Sequence, residues 1–276
     1  MSIKRRGSAF LERVRTVIRA RYYSIRTEEA YLLWTRRFIL HHGKRHPSEM
    51  GEAEVAAFLT HLAVAAGVSP STQNQALCAL VFLYTEVLGQ PFGELESFAR
   101  AKRPRRLPVV LTRAEARALL DELSGTQRLM ASLLYGTGMR LMECVRLRVQ
   151  DIDFRYKQII VRNAKGAKDR LVPLPDSLAG DLRGHLEQVR TLFQSDLQRG
   201  LGEVFLPDAL ARKYPSAPRE WIWQYAFPSG RLSADPRSAK VRRHHIHENG
   251  LQKGVKKAAL AAGIDKKVNC HSLRNA

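Results

Sequence analysis

Acidic side chains are scarce in this chain relative to basic ones, cysteines are few, and no apolar run is long. Of 276 residues, 26 are Asp or Glu against 46 Lys or Arg, a net charge of +20. The excess is spread along the chain and not gathered in one arm, which points to a long polyanion as partner. An ordinary soluble protein with a basic surface is the bland alternative. Cys78, Cys144 and Cys270 lie far apart without a C-x-x-C pair. That excludes a disulfide framework and a cysteine zinc site, and fits a reducing cytoplasm. No apolar run approaches the ~20 residues that span a bilayer. The opening MSIKRRGSAF carries the charge of a signal n-region, but no apolar core follows it. No basic amphipathic stretch is coupled to a lipid-anchor motif, so a membrane surface is not expected as partner.

Hydrophobic residues make up 45% of the chain, enough for a sizeable core, and the length suits roughly two domains. The first hundred residues read as helices. Phe10, Val14, Val17 and Ile18 fall at helical spacing over residues 8–21. Thr27 before Glu28 and Glu29 reads as a cap, followed by the stripe Tyr31, Trp34, Phe38. Gly43 and Pro47 break that helix, and a third covers residues 52–66 with Val55, Phe58, Leu59 and Leu62 on one face. Ser69-Pro70 opens a fourth through Leu77, Leu80, Val81, Tyr84 and Leu88. Four helices on short loops predict a compact bundle over residues 1–98. Residues 99–110 contain RAKRPRRLP, whose prolines and like charges predict an extended linker. Arg103 and Arg105 in it are candidates for tracking along DNA, the alternative being a solvated tether.

Residues 111–276 read as a second, α+β domain. Thr112-Arg-Ala-Glu115 is a capping box, a helix follows near residues 127–135, and Gly136-Thr-Gly138 breaks it before a restart at Arg140. Between Asp151 and Pro173 the period changes: Ile152 and Phe154, Ile159 to Val161, then Leu171 and Val172 read as short strands. Lys165 to Lys168 forms the hairpin turn between the last two. Helices return over residues 177–198 and 248–262, while residues 201–243, rich in Pro and Trp, read as an insertion. The expected fold is mainly α with a small antiparallel sheet, and no internal repeat is evident.

Several basic residues stand where chemistry is plausible. Arg140 and Glu143 are one helical turn apart after a glycine break. Such an arginine can grip two phosphate oxygens while the glutamate orients it, although Arg-x-x-Glu also serves as a plain salt bridge. Lys165, at a hairpin tip, can donate a proton if neighbouring cations depress its pKa. Lys168 and Arg170 are candidates for backbone phosphates. His271 and Arg274, again one turn apart, offer an imidazole and a second guanidinium to the same phosphate. Paired arginines stabilise a pentacoordinate phosphorus more than its ground state, because the negative charge grows there.

The ordered set Arg140, Lys165, His271-x-x-Arg274 resembles the active site of the tyrosine recombinases, the phage integrases and Xer-type enzymes. Residues 136–143 (GTGMRLME) with 147–153 (LRVQDID) look like the first arginine box. Residues 164–174 (AKGAKDRLVPL) look like the β-hairpin lysine segment. The N-terminal helices match the family's SAM-like core-binding domain, so the resemblance covers essentially the whole chain. Residues 206–215 (LPDALARKYP), Asp235 to Ser238 and Arg242 to His245 resemble the insertion of integron integrases.

That resemblance implies recombination between an integron attachment site and cassette sites that are folded single strands with extrahelical bases. By position, Trp223, Pro236, His244 and His245 would clamp those bases, and aromatic and imidazole faces suit unstacked bases. Trp221 and Trp223 would alternatively pack the insertion on the core. In such an enzyme Arg140, Arg274 and His271 hold the scissile phosphate, a tyrosine forms a 3′-phosphotyrosine link, and Lys165 protonates the leaving 5′-oxygen. The resemblance implies no metal and no cofactor, and a homo-oligomer, a tetramer in intact relatives. All eight tyrosines precede His271, so the family's nucleophile is not among these residues. The expectation is therefore a truncated recombinase, with exposed apolar surface and reduced stability. A recombinase acting on duplex repeats and a non-catalytic DNA-binding remnant are the alternatives.

Overall fold

The computed structural model describes residues 9–92, 107–162 and 168–276. The chain divides into two compact units, residues 1–106 and 107–276. It is mostly helical, with small antiparallel sheets. Most of the expected linker, Arg103 and Arg105 included, lies outside the described residues, as does the Lys165 turn.

In the first unit, α1 (Ala9–Ala20) buries Val14 and Ile18, one turn apart. α2 (Ile25–His41) starts three residues earlier than the sequence suggests, because Ser24 and not Thr27 is its cap. The Ser24 hydroxyl oxygen accepts the Thr27 N–H at 3.1 Å, so Thr27 sits inside the first turn. Glu28 is buried there and takes two N–H bonds from Arg19, at 3.0 and 2.9 Å. α3 (Glu52–Val64) buries Val55, Phe58, Leu59 and Leu62, the expected face. α4 (Pro70–Phe82) opens on the Ser69 cap with proline in its first turn. It buries Ala76, Leu77, Ala79, Leu80 and Phe82, and Val81 turns outward to 38% exposure, against expectation. The backbone then runs as a π-turn over Leu83–Leu88 and stops at Gly89, whose φ of +69° suits glycine.

Tyr84 faces inward from that π-turn, 1% exposed, with its hydroxyl shared between the carbonyls of Pro47 and Met50 at 3.0 and 3.1 Å. It thereby ties the loop before α3 to the end of α4.

The second unit begins with α5 (Arg113–Asp121), where Thr112 and Glu115 form the predicted capping box. α6 (Gly125–Thr137) is the central helix, burying Leu129, Met130, Ala131, Leu133 and Leu134. α7 (Leu141–Val145) follows, then a sheet of β1 (Ile152–Asp153), β2 (Gln158–Val161) and β3 (Arg170–Pro173) in that order, all antiparallel. Ile159 pairs with Val172 and Val161 with Arg170. α8 (Asp176–Gln198) lies beside α6. Gly136 on α6 has no room for a side chain, since a Cβ would stand 2.8 Å from Pro175 Cγ.

The segment expected as an insertion contains α9 (Asp208–Lys213), two single-turn 3-10 helices and a hairpin of β4 (Ser233–Ala234) and β5 (Val241–Arg242). Elements this short have no hydrophobic period to read. The unit closes with α10 (Glu248–Ala261) and α11 (Cys270–Arg274). Its core joins α6 with Leu147, Ile159, Val172, Leu182, Phe227, Leu251, Val255 and Leu273. Among the described residues no helix is long and apolar enough to cross a membrane.

Tyr84→Phe removes the one donor that two buried carbonyls share and leaves the packing unchanged. It is expected to lower stability by about 1–2 kcal/mol. Urea unfolding followed by circular dichroism would measure this, and an unchanged midpoint would refute it.

Candidate active site

The site is built at the C-terminal end of α6. Gly138 stops that helix with φ +65°, and Thr137 Oγ1 accepts the Met139 N–H at 3.2 Å. Met139 is then driven fully into the core, which leaves Arg140 as the first residue outside α7. Arg140 donates its backbone N–H to Glu143 Oε2 at 2.7 Å and its Nη1 to Glu143 Oε1 at 2.8 Å.

Arg170 reaches the same carboxylate from β3. Expected as a phosphate ligand, it has both terminal nitrogens on Glu143, Nη1 to Oε1 at 2.9 Å and Nη2 to Oε2 at 2.7 Å, with three N–H groups uncommitted by these bonds. Four N–H groups thus fill the roughly four lone-pair sites of one carboxylate. Burial opposes the charge on Glu143, but the hydrogen bonds from Arg170 and Arg140 outweigh it and hold the carboxyl down to about 2. A sequence signal for this pairing exists: strand alternation puts Arg170 on the face of buried Val172 and turns Leu171 outward. A cation on an inward strand face calls for an acidic partner.

α11 completes the cluster. Asn269 caps it, accepting the N–H groups of His271 at 2.8 Å and Ser272 at 3.3 Å. Buried Cys270, Ser272 and Leu273 seat the helix against α6. Arg274 then donates Nε to the Gly138 carbonyl at 2.7 Å, two residues before Arg140. Among the described residues the Nη groups of Arg274 and Nη2 of Arg140 have no protein acceptor. Arg140, Glu143, Arg170 and Arg274 are therefore gathered at one end of α6. His271 lies exposed one turn before Arg274, and Lys168 is exposed just before β3.

The insertion is pinned to this region by cations that sequence reasoning did not single out. Arg148, five residues beyond Glu143, donates Nη2 to the Phe205 carbonyl at 2.9 Å and Nη1 to the Trp223 carbonyl. Its guanidinium also lies 4.6 Å from the Tyr225 ring centre, and burial pulls its pKa down. Arg243 pairs with buried Asp196 of α8, Nη2 to Oδ1 at 2.8 Å, and donates to the Ser229 carbonyl at 2.6 Å.

The four clamp candidates occupy different settings. Trp223 is partly buried against the insertion's own cluster of Val204, Leu206, Ala217 and Tyr225. Trp221 packs on the main core, 5.7 Å from the Phe193 ring, as the alternative reading has it. Pro236 is exposed in the tight turn between β4 and β5, where Asp235 Oδ1 accepts the N–H groups of Arg237 and Ser238. His245 stands edge-on to Tyr225, with Nδ1 2.8 Å from the Ile246 carbonyl oxygen. His244 keeps a buried Nε2 without a hydrogen-bond partner among the described residues. Burial lowers the pKa of both histidines.

A helical N-terminal unit is thus followed by an α+β unit in which Arg140 and Arg274 keep guanidinium N–H groups uncommitted among the described residues. The chain belongs to the Phage integrase family, whose profile matches residues 109–276, while residues 10–94 match the N-terminal SAM-like domain of phage integrases. An integrase/recombinase of Escherichia coli is 47% identical over 270 residues, covering 98% of this chain and 80% of that protein. One of Pseudomonas aeruginosa gives the same figures, 47% identity over 98% of this chain and 80% of its own length. In fold the chain resembles a lambda integrase tetramer solved bound to a Holliday junction, with a TM-score of 0.58 at 16% identity, covering 96% of this chain and 67% of that one.

The depressed Glu143 carboxyl sets a pH dependence. Because its folded pKa lies below its ordinary value of 4.5, the ion pairs stabilise fully above that value and are lost as pH falls towards 2. Glu143→Gln is expected to cost on the order of 3 kcal/mol at neutral pH. In urea titrations the difference from wild type should shrink steadily below the ordinary carboxylate pKa. A cost that is the same at the acid end as at neutral pH would count against this.

Proposed function

We propose that this chain is a site-specific DNA recombinase of the integron-integrase type. It binds an integron attachment site and folded single-stranded cassette sites, in the cytoplasm, as a homo-oligomer. The observation that carries the reading is the fastening of Arg274 to the Gly138 carbonyl, which holds the second arginine beside Arg140 with free N–H groups on both. These, with His271, hold the scissile phosphate, and Lys165 protonates the leaving 5′-oxygen. The integron assignment rests on the insertion residues, with exposed Pro236 and the half-buried rings of Trp223, His244 and His245 meeting extrahelical bases. All eight tyrosines of the chain precede His271, and Tyr225 and Tyr135 are committed to packing. The chemistry of the proposed class runs through a 3′-phosphotyrosine, and none of the tyrosines among these residues follows His271.

Binding of a labelled folded cassette-site strand with extrahelical bases, compared with its fully paired duplex, tests the reading. The folded strand is expected to bind tighter, and Pro236→Ala to weaken it selectively, since base stacking is worth about 1–3 kcal/mol per base. Both affinities should fall steeply with salt, the duplex slope reading about 0.9 per phosphate neutralised. Equal affinities with no selective loss would point instead to a recombinase of duplex repeats, and a flat salt profile would defeat both readings. With a suicide substrate, the chain as it stands is expected to leave no covalent DNA adduct. A covalent band on a denaturing gel would overturn that part.

A further inference from the structure

Glu143 poses a problem for any arginine meant to hold phosphate. A carboxylate beside Arg140 competes with the phosphate for the same donors. With no other cation present, two carboxylate oxygens and a guanidinium close into a two-pronged pair that uses up the fork and cancels its charge. The structure avoids that outcome. Arg170 takes one lone pair on each Glu143 oxygen, the Arg140 backbone N–H takes a third, and Arg140 Nη1 alone fills the fourth. Arg140 is thereby held by one guanidinium nitrogen, while its Nη2 edge is left for a ligand. The three side chains together keep a net positive charge.

We propose that Arg170 is a positioning residue: it saturates Glu143 so that Arg140 keeps its charge and an open edge for the scissile phosphate. The inference rests on the reading above that Arg140 binds DNA phosphate, and it deepens that reading. Strand geometry makes Arg170 suited to the task. Its partner across the sheet is Val161, its neighbours Leu171 and Val172 point outward and inward respectively, and the backbone of β3 is hydrogen-bonded to β2. The guanidinium is thus delivered to Glu143 from a rigid element rather than from a loop. With side chains 32% exposed for Arg170 and 10% for Glu143, the pair is shielded enough for its charge-assisted bonds to count. Two of the five N–H groups of Arg170 are committed to Glu143, one from each terminal nitrogen.

The experiment is a double-mutant cycle read by fluorescence anisotropy on whichever labelled oligonucleotide, folded strand or duplex, binds tighter. Arg170→Met is expected to weaken binding about tenfold, because Glu143 then captures Arg140. Adding Glu143→Gln should restore affinity to within about threefold of wild type, since the competitor is gone. A merely structural role predicts no such rescue, nor does direct phosphate contact. A double variant as weak as Arg170→Met alone would therefore overturn the proposal, as would wild-type affinity for Arg170→Met. Arg140→Met separates the two levels: if it binds like wild type, the phosphate-site reading itself fails. Should Arg170→Met prove too unstable to titrate, Arg170→Gln with and without Glu143→Gln gives the same comparison.

Discussion

One carboxylate, that of Glu143, carries the organisation of this site. It joins β3 to the turn after α6 through Arg170 and Arg140. The Gly138 carbonyl joins the same turn to α11 through Arg274. Three distant stretches of chain thus meet within the six residues from Gly138 to Glu143. The hydrophobic core brings them near, since Met139, Val172 and Leu273 all belong to one buried cluster. Polar bonds then set the final positions, because apolar contact is not directional.

Basic residues in this protein have two opposite fates. Arg148 and Arg243 are pins: they are partly or largely buried, and donate to backbone carbonyls or to a buried aspartate. Arg140 and Arg274 keep N–H groups unspent and belong to the site. The distinction lies in the partners, not in the residue type. A buried cation without partners would be costly, so each pin has carbonyls, a carboxylate or an aromatic face. The pins also explain how an insertion with few long elements stays fixed beside the first arginine box.

Family membership and site electrostatics agree on what the molecule handles. In the proposed reading, the chain-wide charge attracts a polyanion without choosing a point on it, whereas the arginine cluster engages one linkage. In the proposed reading, the insertion adds a third level by stacking on bases that duplex DNA would keep hidden. Burial of His244 and His245 lowers the pKa of both rings.

Much of the fold was legible beforehand. The helical bundle, the capping box at Thr112, the short strands and the restart at Arg140 all follow from local patterns: 3.6-residue and 2-residue periods, caps and glycine stops. The errors were local too. Ser24 displaced Thr27 as a cap because it sits a turn earlier with the same hydroxyl chemistry, and Val81 turned outward because the buried stripe of α4 lies to one side of it. The identities of Arg140, Glu143, His271 and Arg274 could be read from spacing and resemblance. What each side chain touches could not. Arg170 and Glu143 are 27 residues apart, Arg274 and Gly138 are 136 apart, and Arg148 and Trp223 are 75 apart. Local sequence determines which residues carry charge and which elements bear them. Only the packed tertiary structure decided which cations are spent on the protein itself and which remain for a ligand, because hydrogen bonds across such separations exist only once the core has closed.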